Sequence, residues 1–342
     1  MAYDAVRLFT ERAAAVRPGF AIDADTVGPV ARICRALDGT PLAIELAAAR
    51  LRALTLAQVA DRLGDRFRLL TVGSRTALPR HQTLRAVVDW SWELLDDAER
   101  RVLRRLSVFN GGATPDSAEE VLGEDVIDVI ASLVDKSLVM ATGDVEVRYR
   151  LLETVRAYAA ERLAEAGEDK QLRDAHAAYF LDLAERAEPE LRRHDQLYWV
   201  ERLTAERDNC STALRHAIDT RDVSMGLRLV GGLVWFWILR DYEAEAGQWA
   251  VEVWQIVDDA PPPGTENAYV ICGFTAAMVS QMAREGGPHP YELRDAIATT
   301  VERMGDGVTH PALALFRPLA AAFAGDVEAA RSELERIADH PD

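Results

Sequence analysis

Apolar residues recur along this chain at intervals of three and four, and only one short stretch breaks into strand-like runs. Val6, Phe9, Ala13 and Val16 line one face of a helix over Tyr3 to Val16, which Pro18-Gly19 stops. Val27, Val30, Ala31, Cys34 and Leu37 repeat the pattern behind a cap at Asp25 or Thr26. A third helix is announced by Gly39-Thr40-Pro41: the Thr40 hydroxyl can accept a free first-turn N–H, and Pro41 lacks the donor that would be orphaned there. Only Glu45 and Arg50 interrupt its apolar residues, so it is expected to be buried on several sides. Thr55 is expected to cap a short fourth helix, Leu56 to Leu63.

Further on, Leu84, Val87, Val88, Ser91, Leu94 and Leu95 share one helical face. Asp96 with Glu99 makes a capping-box pair ahead of a helix that buries Val102, Leu103 and Leu106. A short helix follows Pro115, and Val126, Val129, Ile130 and Leu133 form the inward face of the next. Ser137 to Ala141 and Val145 to Leu151 read as two strands around Gly143-Asp144, and a helix from Glu153 to Ala166 ends at Gly167. That order predicts a winged helix. Helices then repeat in pairs: His176–Ala187, Leu197–Thr220, Val223–Leu239, Tyr242–Val257, Asn267–Ala283, Tyr291–Met304, Pro311–Ala324 and Val327–Ala338. Spacing near 34 residues per pair, with small residues at Ala244, Gly247 and Ala250, predicts tetratricopeptide-like repeats. The expected fold is mostly α: a helical bundle over 1-78, a winged helix with a small β-hairpin over 79-167, and an α-solenoid of helix pairs over 168-342.

Charge sharpens this picture. The net charge is −17, and Asp241 to Asp342 holds 18 acidic against 6 basic residues, a surface that repels a duplex and suits solvation or a basic partner. Cys34, Cys210 and Cys272 lie far apart and form no metal or disulfide pattern, which fits reduced core thiols. No apolar run reaches the length of a membrane span and no export signal opens the chain, so a cytoplasmic location is expected. The only two lysines, Lys136 and Lys170, each follow an aspartate, so the G-x-x-x-x-G-K-[ST] phosphate loop does not occur.

Four segments, in order, resemble the STAND-class (NB-ARC-like) bacterial transcriptional regulators of the AfsR/SARP and large LuxR type. They are Ala5 to Ala13, Ile33 to Leu54, Arg80 to Trp92 and Tyr149 to Ala159, with weaker similarity at Glu206-Arg-Asp-Asn209 and around Trp235-Phe-Trp237. The resemblance covers roughly the first 260 residues and is to the C-terminal portion of such a regulator: ARC-like block, winged helix and repeats, without the P-loop domain. It implies that Pro41, with Leu42 after it, descends from a wall behind the adenine of ADP or ATP; the plain alternative is that Pro41 only starts a helix. Where many relatives have Met-His-Asp reading a phosphate, this chain has Leu151-Leu152-Glu153, so Glu153 keeps at most the aspartate's place at the helix start. No cofactor is expected for this chain alone, and ATP or ADP only in a longer parent protein.

Catalysis is not expected. No H-E-x-x-H, G-x-S-x-G or usable G-x-G-x-x-G occurs, and His81, His176 and His216 sit in charged helical stretches as surface or partly buried residues. DNA contact is weighed on the helix Glu124 to Asp135, which carries Glu124, Asp125, Asp128 and Asp135 and no base before Lys136. The one basic cluster, Arg100, Arg101, Arg104 and Arg105, lies on the preceding helix. On that charge direct DNA binding is not expected; the resemblance implies that the winged helix is a structural switch element while a separate domain binds DNA, and the repeats are expected to be the platform for a protein partner or small signal molecule. The alternatives are a directly DNA-binding winged-helix transcription factor or a stand-alone helical-repeat adaptor. Trp235, Trp237, Trp249 and Trp254 are either inter-helix core or the lining of a groove.

Overall fold

The computed structural model describes residues 2–37, 54–61, 95–123, 125–136, 138–143, 146–257, 260–282 and 327–338, with single residues between them such as Gly39, Pro41, Ile44, Ala47, Ala48, Val88, Trp92, Ile297 and His310. Among these residues the chain is mostly helical, with one two-stranded sheet. It divides into two compact units, Met1–Leu172 and Arg173–Asp342.

The first unit opens with α1 (Ala2–Val16), α2 (Val27–Ala36) and α3 (Leu56–Asp61). Their apolar faces meet in one cluster in which Phe9, Ile33, Leu37, Ile44 and Val59 are fully buried. Ile44, Ala47 and Ala48 are helical and buried, as the apolar run after Pro41 implies. The start of α2 differs from the expected cap. Thr26 occupies the N-cap position with no side-chain cap bond; its N–H and hydroxyl both donate to the Asp23 carboxylate, at 2.8 Å each. An Asx turn at Asp23 thus closes the loop. Thr55 does cap α3: its hydroxyl accepts from the Gln58 N–H at 3.2 Å, and the Gln58 side chain accepts from the Thr55 N–H at 3.0 Å. Thr40, and most of the helix expected over residues 80–95, lie outside the described residues.

Four further helices and a hairpin follow: α4 (Asp97–Leu106), α5 (Pro115–Leu122), α6 (Val126–Asp135), β1 (Val139–Thr142), β2 (Arg148–Leu151) and α7 (Glu153–Glu165); α8 (Asp169–Glu190) starts at the end of this unit and belongs mostly to the second. β1 and β2 pair antiparallel, with Val139 opposite Leu151 and Thr142 opposite Arg148. The Asp96–Glu99 capping box is present, and Val102, Leu103 and Leu106 are buried. A second capping box, Thr114 with Ser117, starts α5 behind Pro115.

The second unit also contains α9 (Gln196–Asp219), α10 (Val223–Leu239), α11 (Glu243–Trp254), α12 (Glu266–Met282) and α13 (Val327–Ala338), of which α9 to α12 pack on one another in sequence as solenoid-like pairs. α8 runs on through Pro189 to Glu190, past the Ala187 end read from the sequence. Small residues let neighbouring helices close up. A Cβ on Gly232 of α10 would stand 3.1 Å from Ala184 of α8, and one on Gly273 of α12 would stand 2.6 Å from the Trp254 ring. Gly247 and Ala250 are buried as expected, whereas Ala244 is exposed. Residues 283–296, and most of the helices expected over Tyr291–Met304 and Pro311–Ala324, lie outside the described residues.

Trp237 is in the core at 2% exposure. Trp235, Trp249 and Trp254 are half-buried; Arg192 lies over Trp235, Arg215 over Trp249, and Tyr269 stacks on Trp254 at 4.6 Å. His176, expected at the surface or partly buried, is instead 2% exposed, against Phe180 and 3.4 Å from the side-chain amide oxygen of Asn209. Its pKa falls to about 4, first through burial, with Arg173 and His216 adding to the shift. His216 meets Asp174 at 2.7 Å. All three cysteines are free and buried.

Candidate nucleic-acid interface

The residues with a geometry for contacting a nucleic acid lie between α4 and β2. α5 and α6 are joined by three residues, 123 to 125. Two of them hold backbone conformations that a tight helix-to-helix turn demands: Gly123 has φ 109° and Asp125 has φ 61°. After α6 the chain doubles back through the hairpin. β2 also pairs on its far side with Ala113, whose N–H donates to the Tyr149 carbonyl at 2.8 Å and whose carbonyl accepts from the Tyr149 N–H at 2.7 Å. Helix, short strand, helix, turn, helix and two-stranded wing is the order in which helix-turn-helix proteins present a second helix to the major groove.

Side chains fix each part. The Glu99 carboxylate of α4, 4% exposed, accepts from the Ser132 hydroxyl at 2.6 Å and from the Lys136 ammonium, while its other oxygen accepts from the Asp96 N–H at 3.0 Å. This ties the last turn of α6 to the first turn of α4. Burial pushes the Glu99 pKa up, but hydrogen bonds from Lys136, Ser132 and Asp96 outweigh it and hold the carboxyl below its ordinary value. The wing is anchored by Arg148, buried at 8% exposure, whose guanidinium donates to the carbonyls of Gly111 and Gly112. Gly112, at φ 81°, passes so close to β2 that a Cβ there would sit 2.7 Å from the Tyr149 carbonyl oxygen.

The basic cluster is partly internal. Arg104 and Arg105 both donate to Glu168, at 2.7 and 2.8 Å, and Arg105 also donates to the Leu122 carbonyl at the end of α5. Burial raises the Glu168 pKa, yet the two guanidinium groups bring it below the usual carboxylate value. Arg100 donates to the carbonyls of Trp92 and Glu93. Arg101 on α4 and Arg150 on the wing are exposed. The outward face of α6 carries Asp128, Ala131 and Asp135.

Three residues are tied to a nucleotide by resemblance. Pro41 is helical and exposed, and Leu42 lies outside the described residues. Glu153 opens α7, where its carboxylate accepts both Nε and Nη2 of Arg156, at 2.9 and 2.8 Å; the N-cap itself is Leu152, with no side-chain bond. Among the described residues no cluster of His, Cys, Asp and Glu is arranged to hold a metal ion, and no helix is long and apolar enough to cross a membrane. Sequence reasoning missed Arg148, Arg150 and the Glu99–Lys136 pair. The alternation Arg148-Tyr149-Arg150 in a strand bearing two arginines was the available signal.

Comparison with known proteins bears on the same stretch. Residues 95–164 match the winged helix-turn-helix domain family. Over 254 residues, 72% of the chain, the sequence is 41% identical to "Putative HTH-type transcriptional regulator Rv0890c" of Mycobacterium tuberculosis, and equally to "Putative HTH-type transcriptional regulator Mb0914c" of Mycobacterium bovis. It is 46% identical over 173 residues, 48% of the chain, to "Uncharacterized protein Rv0894" of Mycobacterium tuberculosis. The matches span 28% of the length of the two regulators and 44% of the third protein.

These matches, to a winged helix-turn-helix family and to proteins named as HTH-type regulators, overturn the expectation against direct DNA binding. That expectation weighed the acidic helix over 124–135 and the arginine cluster of the helix before it, and left out the wing and the backbone N–H groups. Phosphate contacts in such domains also come from the wing, the flanking helix and backbone N–H groups, and here Arg150 and Arg101 stand exposed on the first two. Residues 95–164 form a winged helix-turn-helix domain of the kind carried by HTH-type transcriptional regulators.

Proposed function

We propose that this chain is part of a transcriptional regulator whose winged helix-turn-helix contacts DNA directly, with α6 entering the groove, Arg150 on the wing reaching a phosphate, and the helix pairs of the second unit receiving a protein partner or small signal. The observation that carries this is the α5–turn–α6 geometry with its wing in a segment matching that domain family. The domain holds fourteen acidic and nine basic residues over 95–164, so few phosphates are neutralised and affinity depends on geometry as much as on charge. Selection of the full chain on a random duplex pool, then fluorescence anisotropy over a salt series, tests it. Saturable binding is expected, with a shallow salt dependence. Arg150→Ala weakens it across sequences and lowers the salt slope by about 1. Failure to enrich any duplex at low salt would overturn the reading.

The STAND-type signalling role rests on the four-segment resemblance across roughly the first 260 residues, together with the buried packing of Ile44, Ala47 and Ala48 behind Pro41. In that role the helical block and winged helix are the mobile part of a nucleotide switch whose P-loop is carried on other sequence. Calorimetry with ATP and ADP on this chain is then expected to show no micromolar binding.

A further inference from the structure

A groove of about 430 Å3 lies between α4 and the turn that leads into α6. Its size is within the range of small-ligand sites, which run from ~300 to 1,000 Å3. Ala98 and Val102 from α4, Leu122 from α5, and Val126 and Val129 from α6 make its apolar surface. Residues 98, 101, 102 and 105 are spaced to share one face of α4, so the arginines flank the apolar pair. Arg105 is already engaged by Glu168 and the Leu122 carbonyl.

Arg101 and Asp125 also line the groove, from different elements, and both are exposed. No ion pair forms between them, and among the described residues neither side chain has a hydrogen-bond or ion-pair partner. The Asp125 carboxylate does not cap α6 either. One cation and one anion, each unpaired, thus share an apolar groove without neutralising each other. A ligand that answers both must carry both charges on one small body with a hydrocarbon or aromatic part.

We propose that this groove binds a free hydrophobic α-amino acid, its carboxylate on Arg101, its ammonium on Asp125 and its side chain against Val102, Leu122 and Val126. The occupant bridges α4 to the turn that sets the start of α6. This goes beyond the DNA-contact reading and does not require it. With both charged groups open to water, affinity is modest, a Kd on the order of 0.1–1 mM.

The test uses the full chain without DNA, so a negative result leaves DNA contact standing. Amide chemical shifts and calorimetry are followed during addition of L-leucine and L-phenylalanine, then N-acetyl-phenylalanine, which lacks the ammonium, and phenylalanine amide, which lacks the carboxylate. Saturable shifts centred on Gly123 are expected with the free amino acids, and at least tenfold weaker binding of the two blocked forms. Arg101→Gln is expected to erase the preference for acid over amide, and Asp125→Asn the preference for ammonium over N-acetyl. Both positions are exposed, and Asn tolerates the left-handed backbone at 125, so both variants fold. Absence of saturation at 10 mM, equal binding of the blocked forms, or unchanged binding in both variants would overturn the proposal.

Discussion

Replacing Glu99 by Gln tests how α6 is held. The glutamine keeps the volume and one acceptor for the Asp96 N–H, so the capping box survives. What is lost is the charge on a carboxylate that is 4% exposed and bonded to Ser132 and Lys136. The new amide group faces one hydroxyl, which can rotate to accept, and one ammonium, which cannot. The Lys136 side chain is 42% exposed and can turn to water, so its share is discounted. Exchanging charge-assisted hydrogen bonds for neutral ones then costs about 2 kcal/mol. Because the chain has two compact units, the assay is urea denaturation combined with amide exchange of peptides from α4 and α6. The pH dependence has a definite sign. The Glu99 carboxyl is depressed in the folded state, so its contribution is complete above the ordinary value of 4.5 and is lost as pH falls below it. The gap between wild type and Glu99→Gln must therefore be full at neutral pH and shrink on acidification below 4.5. A gap under about 0.5 kcal/mol at pH 7, a value typical of indifferent surface changes, or one that does not shrink in acid, refutes the reasoning.

Two further outcomes follow from backbone and burial. Gly112→Ala meets both a left-handed φ of 81° and the Tyr149 carbonyl oxygen, whereas Gly123→Ala meets only the φ of 109° in open space. Thermal melts are expected to show a loss of about 1–3 kcal/mol for Gly123→Ala and a clearly larger one for Gly112→Ala; the reverse order would contradict the wing geometry. His176 is buried neutral, with a folded pKa of about 4 against an ordinary 6.5, so the second unit loses stability as pH falls through that interval. His176→Gln is expected to flatten the slope between those values, read by circular dichroism during denaturation at several pH values.

The helices were legible wherever one apolar stripe and a local cap determine them. Asp96 with Glu99 announced α4, and Pro115 announced α5, because capping acts within four residues. What escaped was set by close local competition or by distant partners. Asp23 displaced Thr26 as the group closing the turn before α2, a choice between nearly equal local bonds. Pro189 was tolerated near the end of α8, where one lost N–H matters little. The interface was half legible. The hairpin and the helix order could be read, but Arg148 binding carbonyls 36 and 37 residues away could not. Weighing DNA contact from helix charge left out the wing, where Arg150 stands exposed.

Glu168 has a practical consequence for anyone excising the winged helix. The family match ends at residue 164, yet the carboxylate that neutralises Arg104 and Arg105 lies four positions later. A fragment cut at the match boundary would leave two guanidinium groups without their counter-ion, one of them the donor that holds the end of α5. The smallest piece worth expressing therefore runs past Glu168.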